Sequence, residues 1–186
     1  MNPQPRILLF TGNGKGKTTA ALGMAIRALG HNLPTLIIQF IKCADSTGDD
    51  RSTGDDRSTG EYSVFSRMPG VEIRQTGLGF VPSRSSPRFA DHQQAAHQAL
   101  NMAAQALAAG KYRVVILDEI CMAVALNLLT EEAVIRIVQQ ADDIIVVLTG
   151  RGAGKGLIGL ADTVTEMRCV KHGYQQGRKA QEGVEF

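Results

Sequence analysis

The chain has 186 residues, enough for one domain with a substantial core, and its 44% hydrophobic and 20% charged residues are typical of globular proteins. A net charge of +2, with scattered Lys and Arg, argues against nucleic acid or an acidic membrane surface as a partner. No segment approaches the ~18 apolar residues of a membrane span, and the apolar run Ile7–Phe10 is too short for a signal peptide, so we expect a cytoplasmic protein. Three widely spaced cysteines indicate reduced thiols rather than disulfides or a zinc site.

Short runs rich in Val, Ile and Leu alternate with helical segments along the chain. The predicted strands are Arg6–Phe10, Thr35–Phe40, Val71–Gln75, Arg113–Leu117 and Ile144–Leu148. The predicted helices are Thr18–Leu29, Pro87–Ala108 and Glu131–Gln140, with Ser86 as the cap of the second and Thr130 at the start of the third. This alternation predicts an α/β fold of three layers, with a mostly parallel sheet flanked by helices.

A polar hexapeptide interrupts this pattern. Ser46–Arg51 reads STGDDR, Ser52–Arg57 repeats it, and Ser58–Gly60 begins it again. The repeat is too short and too polar to form a solenoid, and its composition predicts a flexible surface loop at about residues 44–61 within a single domain spanning 1–186. Its four aspartates do not form a convincing metal site, because arginines are interleaved and no fixing glutamate follows.

The main chemical motif is Thr11–Thr19, which reads TGNGKGKTT between the first predicted strand and the first predicted helix. Glycines allow backbone N–H groups to point at phosphate oxygens, and the helix N-terminus adds partial positive charge. The motif therefore predicts a P-loop NTPase-like fold that binds ATP, although the first glycine comes one residue later than usual. The alternative is a glycine-rich turn without a ligand. The predicted ATP-binding residues of the loop are Gly12, Asn13, Gly14, Lys15, Gly16, Lys17, Thr18 and Thr19.

Two carboxylates follow the fourth predicted strand. Asp118 and Glu119 would lie at the carboxyl edge of the sheet, where ligands bind in open parallel sheets. Mg²⁺ bound to phosphates usually takes one or two protein carboxylates, so we predict Mg²⁺ ligands at Thr18, Asp118 and Glu119. A solvated strand end or a helix cap is the alternative.

Gly150–Gly156 resembles a second phosphate loop but has no Ser or Thr after its lysine. We predict a flexible strand-to-helix turn there instead. Arg151 lies at the same edge of the sheet and is a candidate ligand for ATP phosphates, with surface ion pairing as the alternative.

Several segments together resemble the ATP:corrinoid adenosyltransferase family. They are Phe10–Ala21, Gln39–Lys42, Leu117–Glu119, Thr149–Gly152, Leu160–Val164, Val170–Tyr174 and Lys179–Phe186. The resemblance implies that a reduced cob(I) corrinoid attacks the 5′-carbon of ATP and expels triphosphate. It implies Lys17, Thr18 and Glu119 as the catalytic residues, and a nucleotide that lies reversed in the loop compared with kinases.

The corrinoid side of this resemblance depends on Phe80. The family often carries aromatic residues in a Gly-Phe-Thr-Trp-like segment, and this chain has Gly79-Phe80-Val81-Pro82, with Pro82 at the tryptophan position. The resemblance implies that Phe80 contacts the corrinoid (cobalamin, cobinamide or cobyrinic acid diamide); an ordinary buried loop aromatic is the alternative. It further implies a homodimer and an electron-donor protein as partners.

Two other functions fit a phosphate loop. A conventional P-loop phosphotransferase or ATPase would need an acceptor site, for which the sequence shows no motif. A nucleotide-sensing regulator would bind ATP without turnover. Among the histidines, only His172 falls in a family motif, and we assign it no chemistry.

Overall fold

A computed structural model describes residues 5–43 and 60–184. Within them, six strands form one parallel sheet in the order β3-β2-β4-β5-β1-β6. The strands are β1 (Arg6–Thr11), β2 (Thr35–Gln39), β3 (Val71–Gln75), β4 (Val114–Asp118), β5 (Ile145–Thr149) and β6 (Thr163–Glu166). The α/β prediction is confirmed, and every pairing in the described sheet is parallel.

In the part of the chain that the structure describes, six α-helices cover the sheet. They are α1 (Lys17–Leu29), α2 (Gly60–Phe65), α3 (Phe89–Ala108), α4 (Ile120–Ala125), α5 (Glu131–Val138) and α6 (Lys155–Leu160). Side chains of successive strand residues point to opposite faces, which divides the core in two. One half packs α1 and Phe65 against Ile37, Ile116 and Val147. The other packs helices α3 to α6 against the remaining strand positions, among them Leu117 and Leu148. The result is three layers, as predicted.

The five predicted strands are present, each within one residue of its predicted ends. Their middle positions are buried because Val, Ile and Leu fill both faces, as in β4, where all five residues are buried. The predicted start of α5 is also confirmed, since the Thr130 side chain accepts a hydrogen bond from the backbone N–H of Ala133.

The predicted start of α3 is wrong. The helix begins at Phe89, two residues later than expected, with Arg88 in the cap position and no side-chain cap bond. The Ser86 carbonyl instead accepts from the Phe89 N–H at 3.0 Å, closing a turn ahead of the helix. Proline at position 87 therefore belongs to that turn.

Five further elements of the described residues were not predicted: α2, α4, α6, β6 and a short 3₁₀-helix at Gly173–Gln176. The predicted loop at 44–61 overlaps α2, which begins at Gly60, and residues 44–59 of the hexapeptide segment lie outside the described residues. In the described ranges 5–43 and 60–184, no helix has the length and apolarity needed to cross a membrane.

Candidate functional site

The glycine-rich loop joins β1 to α1 and is held from outside by the chain that follows β6. The Gly14 N–H donates to the Met167 carbonyl at 2.6 Å, and the Met167 N–H donates to the Thr11 carbonyl at 2.8 Å. At Gly12, φ is +94°, and a Cβ there would lie 2.5 Å from the Met167 oxygen. Only glycine fits this conformation and this close backbone approach. The loop geometry thus depends on the segment after β6.

Lys17 and Thr18 occupy the first turn of α1. Lys17 is only 6% exposed, and its Nζ donates to the Gly14 carbonyl at 2.7 Å, so its side chain folds back over the loop. Burial lowers the pKa of the Lys17 ammonium, while the Glu119 carboxylate opposes that shift. Both residues line a cavity beside the loop. An anionic ligand there would contact both the Lys17 ammonium and the N-terminus of α1.

Asp118 lies behind Thr18, fully buried. Its Oδ1 accepts from the Thr18 hydroxyl at 2.8 Å and from the Thr149 hydroxyl at 2.7 Å, while its Oδ2 accepts from Gln39 Nε2 at 3.0 Å. Both carboxylate oxygens are therefore engaged by protein donors. This arrangement fixes the Thr18 side chain rather than presenting Asp118 to a ligand.

Unlike its neighbour Asp118, Glu119 lines the cavity. It has φ +61°, a left-handed conformation that is uncommon outside glycine, and its N–H donates to the Thr149 hydroxyl at 2.9 Å. Its Oε2 is buried without a hydrogen-bond partner among the described residues, and the side chain lines a cavity. Burial raises the pKa of this carboxyl, as does Asp118, while Lys17, Lys42 and Arg151 lower it.

Arg151 lies in the turn that leads from β5 into α6, as predicted for residues 150–156. The Gly150 N–H donates to the Phe10 carbonyl at 3.1 Å, and a Cβ at Gly150, whose φ is +133°, would lie 2.7 Å from the Met122 nitrogen. On the far side of the turn, Glu131 Oε1 accepts from the Leu157 N–H at 2.9 Å. Bonds on both sides of the turn hold the guanidinium at the cavity wall.

One cavity of about 630 Å³, the size of a small-molecule site, brings these groups together. Its lining includes the loop, Glu119 and Arg151, so the three sequence segments predicted to meet at the sheet edge do so. Of the predicted ATP-binding residues, Gly12 and Asn13 do not line it, and neither does Asp118. The lining residues predicted from sequence are Gly14, Lys15, Gly16, Lys17, Thr18, Thr19, Glu119 and Arg151.

Phe80 lies outside this cavity and is 80% exposed, which rules out a buried loop aromatic. Its loop is attached to the cavity wall: the Gly77 N–H donates to the Lys42 carbonyl at 2.9 Å, and the Gly79 N–H donates to the Ile41 carbonyl at 2.9 Å. Since Lys42 lines the cavity, Phe80 is anchored beside the site rather than inside it. An exposed aromatic next to a site is a candidate contact for a large apolar ligand.

Three comparisons place the chain among known proteins. Residues 3–186 match the sequence model described as ATP:corrinoid adenosyltransferase BtuR/CobO/CobP. The chain belongs to this family. The corrinoid adenosyltransferase of Pseudomonas aeruginosa is 41% identical over 182 residues, which cover 97% of this chain and 83% of the relative. That of Escherichia coli K12 is 35% identical over 184 residues, covering 97% and 85%.

The structural comparison agrees with this assignment at the level of fold. The crystal structure of flagellar accessory protein FlaH from Methanocaldococcus jannaschii superimposes on this adenosyltransferase with a TM-score of 0.51 and 12% sequence identity. The match covers 89% of this chain and 72% of that chain. At this identity the likeness concerns only the arrangement of sheet and helices.

Several residues that line the site of this adenosyltransferase were not predicted. They come from the helix α1 beyond its first turn, from Lys42 and the start of α2, and from the C-terminal segment: Leu22, Gly23, Ile26, Lys42, Gly60, Glu61, His172, Gly183 and Val184. Lys42 and Glu61 form an ion pair at the wall. The family motifs that contain Lys42, His172 and Gly183 were a signal for these positions, but no local pattern assigns them to the nucleotide loop.

Proposed function

We propose that this enzyme transfers the 5′-deoxyadenosyl group of ATP to the cobalt of a reduced cob(I) corrinoid and releases triphosphate, in the biosynthesis or salvage of adenosylcobalamin. The family membership of residues 3–186 supports the reaction class. The observation that supports the site is the cavity in which the glycine-rich loop, Lys17 and Thr18 face Glu119 and Arg151. A loop of this kind at a helix N-terminus suits a polyphosphate.

The reaction needs little from protein side chains as acids or bases. The cobalt(I) centre supplies an electron pair to form the Co–C bond with the 5′-carbon, and the C–O bond breaks with its pair going to triphosphate. The task left to the protein is to neutralise the leaving group and to align the carbon with cobalt. Lys17, Arg151 and the loop N–H groups are placed to do the first.

The residues present also fit Mg²⁺. Glu119 Oε2 is a buried carboxylate oxygen without a hydrogen-bond partner among the described residues, and Thr18 shares the cavity with it. Within the described residues no group of three or more His, Cys, Asp or Glu forms a metal site, so phosphate oxygens and water would complete the shell. A bound Mg²⁺ would supply Lewis-acid neutralisation of the triphosphate. We propose Thr18 and Glu119 as its ligands, with Asp118 holding Thr18.

For the corrinoid we propose contact with Phe80, because it is an aromatic residue, 80% exposed, in a loop whose backbone is bonded to the cavity-lining residue Lys42. The single domain over residues 1–186, the cytoplasmic location, the homodimer and the electron-donor protein stay predictions. The substitution of Pro82 for an aromatic residue leaves Phe80 as the aromatic group of its segment.

An anaerobic visible-light assay with Mg·ATP and chemically reduced cobalamin tests the reaction directly. We expect the cob(I) spectrum to convert to that of adenosylcobalamin, with one triphosphate released for each Co–C bond. Release of inorganic phosphate without conversion would instead indicate a conventional phosphotransferase or ATPase. Tight ATP binding without any turnover would indicate a nucleotide sensor. Either result would contradict the proposal.

A further inference from the structure

A row of polar side chains crosses the sheet at one level, on the face covered by α1. Gln75, Gln39 and Asp118 end β3, β2 and β4, and they are register partners of one another. Thr149 ends β5 one position after the Leu117–Leu148 pair and so continues the row beside Asp118. Three of these side chains, those of Gln39, Asp118 and Thr149, are 0% exposed. Burying a polar side chain costs free energy unless it finds hydrogen-bond partners, so we expect these side chains to be hydrogen-bonded.

The row is a continuous chain of hydrogen bonds. Gln75 Nε2 donates to Gln39 Oε1 at 2.9 Å, and Gln39 Nε2 donates to Asp118 Oδ2 at 3.0 Å. Because a carboxylate only accepts hydrogen bonds, Asp118 fixes which end of the Gln39 amide faces it, and the Gln75 donor satisfies the other end, Oε1. Gln39 thereby supplies a neutral donor to one oxygen of the carboxylate. The other oxygen accepts from Thr18 and Thr149.

The orientation of this carboxylate decides what Thr18 offers to the cavity. While the Thr18 hydroxyl donates its hydrogen to Asp118 Oδ1, its oxygen lone pairs stay available to a ligand. A carboxylate that has lost its Gln39 partner is free to rotate about its Cβ–Cγ bond. The Thr18 hydroxyl would then lose its fixed acceptor and could turn its hydrogen toward the cavity.

We propose that Gln39 is a positioning residue for the metal–nucleotide half of the site, acting on Thr18 through Asp118. The inference rests on the proposed role of Thr18 as a Mg²⁺ ligand. Gln39 itself does not line the cavity and touches neither the loop nor Glu119 by hydrogen bond. The charged and titratable groups that face Asp118 and Glu119 are Lys17 on α1, Lys42 after β2 and Arg151 after β5. Gln39 orients the Asp118 carboxylate within this cluster and carries no charge itself.

The test measures ATP binding rather than turnover. The dissociation constant for ATP is determined with excess EDTA and with saturating Mg²⁺. The EDTA value divided by the Mg²⁺ value gives the factor by which the metal tightens ATP binding. We expect Gln39→Met, which keeps the volume but removes the donor, to lower this ratio by about tenfold. Thr35→Val is the matched control: Thr35 is also buried on β2, and its hydroxyl donates to the Leu33 carbonyl at the opposite end of the strand. It should lower the melting temperature and leave the ratio unchanged.

A double-mutant cycle with Thr18→Val tests separately whether Gln39 acts through Thr18 and whether Thr18 binds Mg²⁺. If Gln39 acts through Thr18, Gln39→Met lowers the ratio in the wild-type background and has no further effect in Thr18→Val. A Gln39→Met protein that changes only its melting temperature, as Thr35→Val does, overturns the positioning role. An unchanged ratio in Thr18→Val overturns the proposed metal role of Thr18, and the inference with it.

Gln75→Leu provides a second route if Gln39→Met does not fold. Gln75 is only partly buried, so its replacement is better tolerated, yet it removes the donor that holds Gln39 Oε1. We expect a smaller fall in the same ratio, about threefold, which is again absent in the Thr18→Val background. An additive effect in that background would show that the row does not act through Thr18.

Discussion

The Thr18 hydroxyl donates to Asp118 Oδ1 across 2.8 Å, although the two residues are 100 positions apart in the chain. This bond ties the nucleotide loop at the start of α1 to the carboxyl end of β4. It leaves Glu119, the next residue, as the carboxylate that reaches the cavity. Adjacent acids thus take different tasks because a strand and a left-handed turn point them in different directions.

Replacing Lys17 with alanine should abolish most of the activity. The ammonium folds over the loop beside the cavity, and without it the charge of the leaving triphosphate is poorly neutralised. We expect kcat/KM for ATP to fall by about 10²-fold or more, with the circular dichroism spectrum unchanged. Lys111→Ala removes the same charge at the opposite edge of the sheet and should retain full activity. Unchanged turnover in Lys17→Ala would rule out the phosphate-loop assignment.

Gly12→Ala should destabilise the protein and weaken ATP binding together. The residue has φ +94°, and the new methyl group would meet the Met167 backbone at 2.5 Å. We expect a loss of about 1–3 kcal/mol in the free energy of unfolding, measured by urea denaturation. The control is Gly159→Ala in α6, where nothing lies within 4 Å of the added carbon. That variant should be neutral or slightly stabilised, by about 0.5 kcal/mol.

Glu131→Ala should affect ATP binding although Glu131 is not in the cavity wall. Its carboxylate holds the Leu157 N–H, and through it the turn that carries Arg151. We expect KM for ATP to rise about fivefold and the Leu157 amide to exchange faster with solvent. Glu132→Ala, one residue along the same helix and exposed, should change neither. If Glu131→Ala still raises KM in an Arg151→Ala background, the effect does not pass through that arginine.

Phe80→Ala should separate the two substrates. The side chain is 80% exposed, so its loss should leave the melting temperature and the ATP dissociation constant unchanged. We expect KM for the corrinoid to rise by about tenfold, because an aromatic contact of this size contributes about 1 kcal/mol or more. Leu78→Ala, in the same loop and 44% exposed, is the matched control and should show little change. Equal effects in both variants would indicate a general loosening of the loop.

Stability should fall in acid partly through Glu72. Hydrogen bonds from Tyr112, Lys111 and Arg74 lower the pKa of this carboxyl from 4.5 to about 2. A depressed pKa in the folded state means that the stabilisation is present above pH 4.5 and is lost as the pH falls toward about 2. The cluster is partly exposed, so we expect about 1 kcal/mol at neutral pH.

The measurement is urea denaturation of the wild type and Glu72→Gln from neutral pH down to the acid limit of folding. The stability difference between them should be largest at neutral pH and should shrink through the window below 4.5. Asp142→Asn, on an exposed turn, serves as the control for loss of one negative charge. A difference that does not depend on pH would mean that packing rather than charge accounts for the effect.

Sequence reasoning located the strands because their signal is local. Runs such as Val114–Leu117 can only be satisfied by burial on both faces of a sheet. By contrast, β6 reads TVTE and all four of its residues are exposed, so no pattern distinguishes it from a loop. Helices α4 and α6 have six residues each, too few for a helical period to show. Helix α3 begins later than the cap predicted at Ser86 because residues 86–89 first close a turn, in which the Ser86 Oγ accepts from the Arg88 N–H at 3.4 Å and the Ser86 carbonyl accepts from the Phe89 N–H at 3.0 Å.

The meeting of the glycine-rich loop with the acidic residues could also be predicted from sequence, but their individual hydrogen-bond partners could not. A glycine-rich loop after a strand and acids at the end of another converge by topology alone, which placed Lys17, Thr18 and Glu119 correctly in one cavity. The different fates of Asp118 and Glu119 depend on the partners Gln39 and Thr149, which neighbouring strands supply. The wall formed by His172 depends on how the chain after β6 returns over the loop. In that segment, His172 Nδ1 accepts from the Tyr174 N–H at 3.2 Å.

The position of β1 inside the sheet affects how the protein folds during synthesis. Among the six described strands β1 is made first, yet its neighbours β5 and β6 are made last, and Met167, which holds the nucleotide loop, follows them. A nascent chain therefore carries the sequence of its ATP site long before it can assemble one. Since a ligand stabilises only the state that binds it, ATP would favour finished molecules over partial ones.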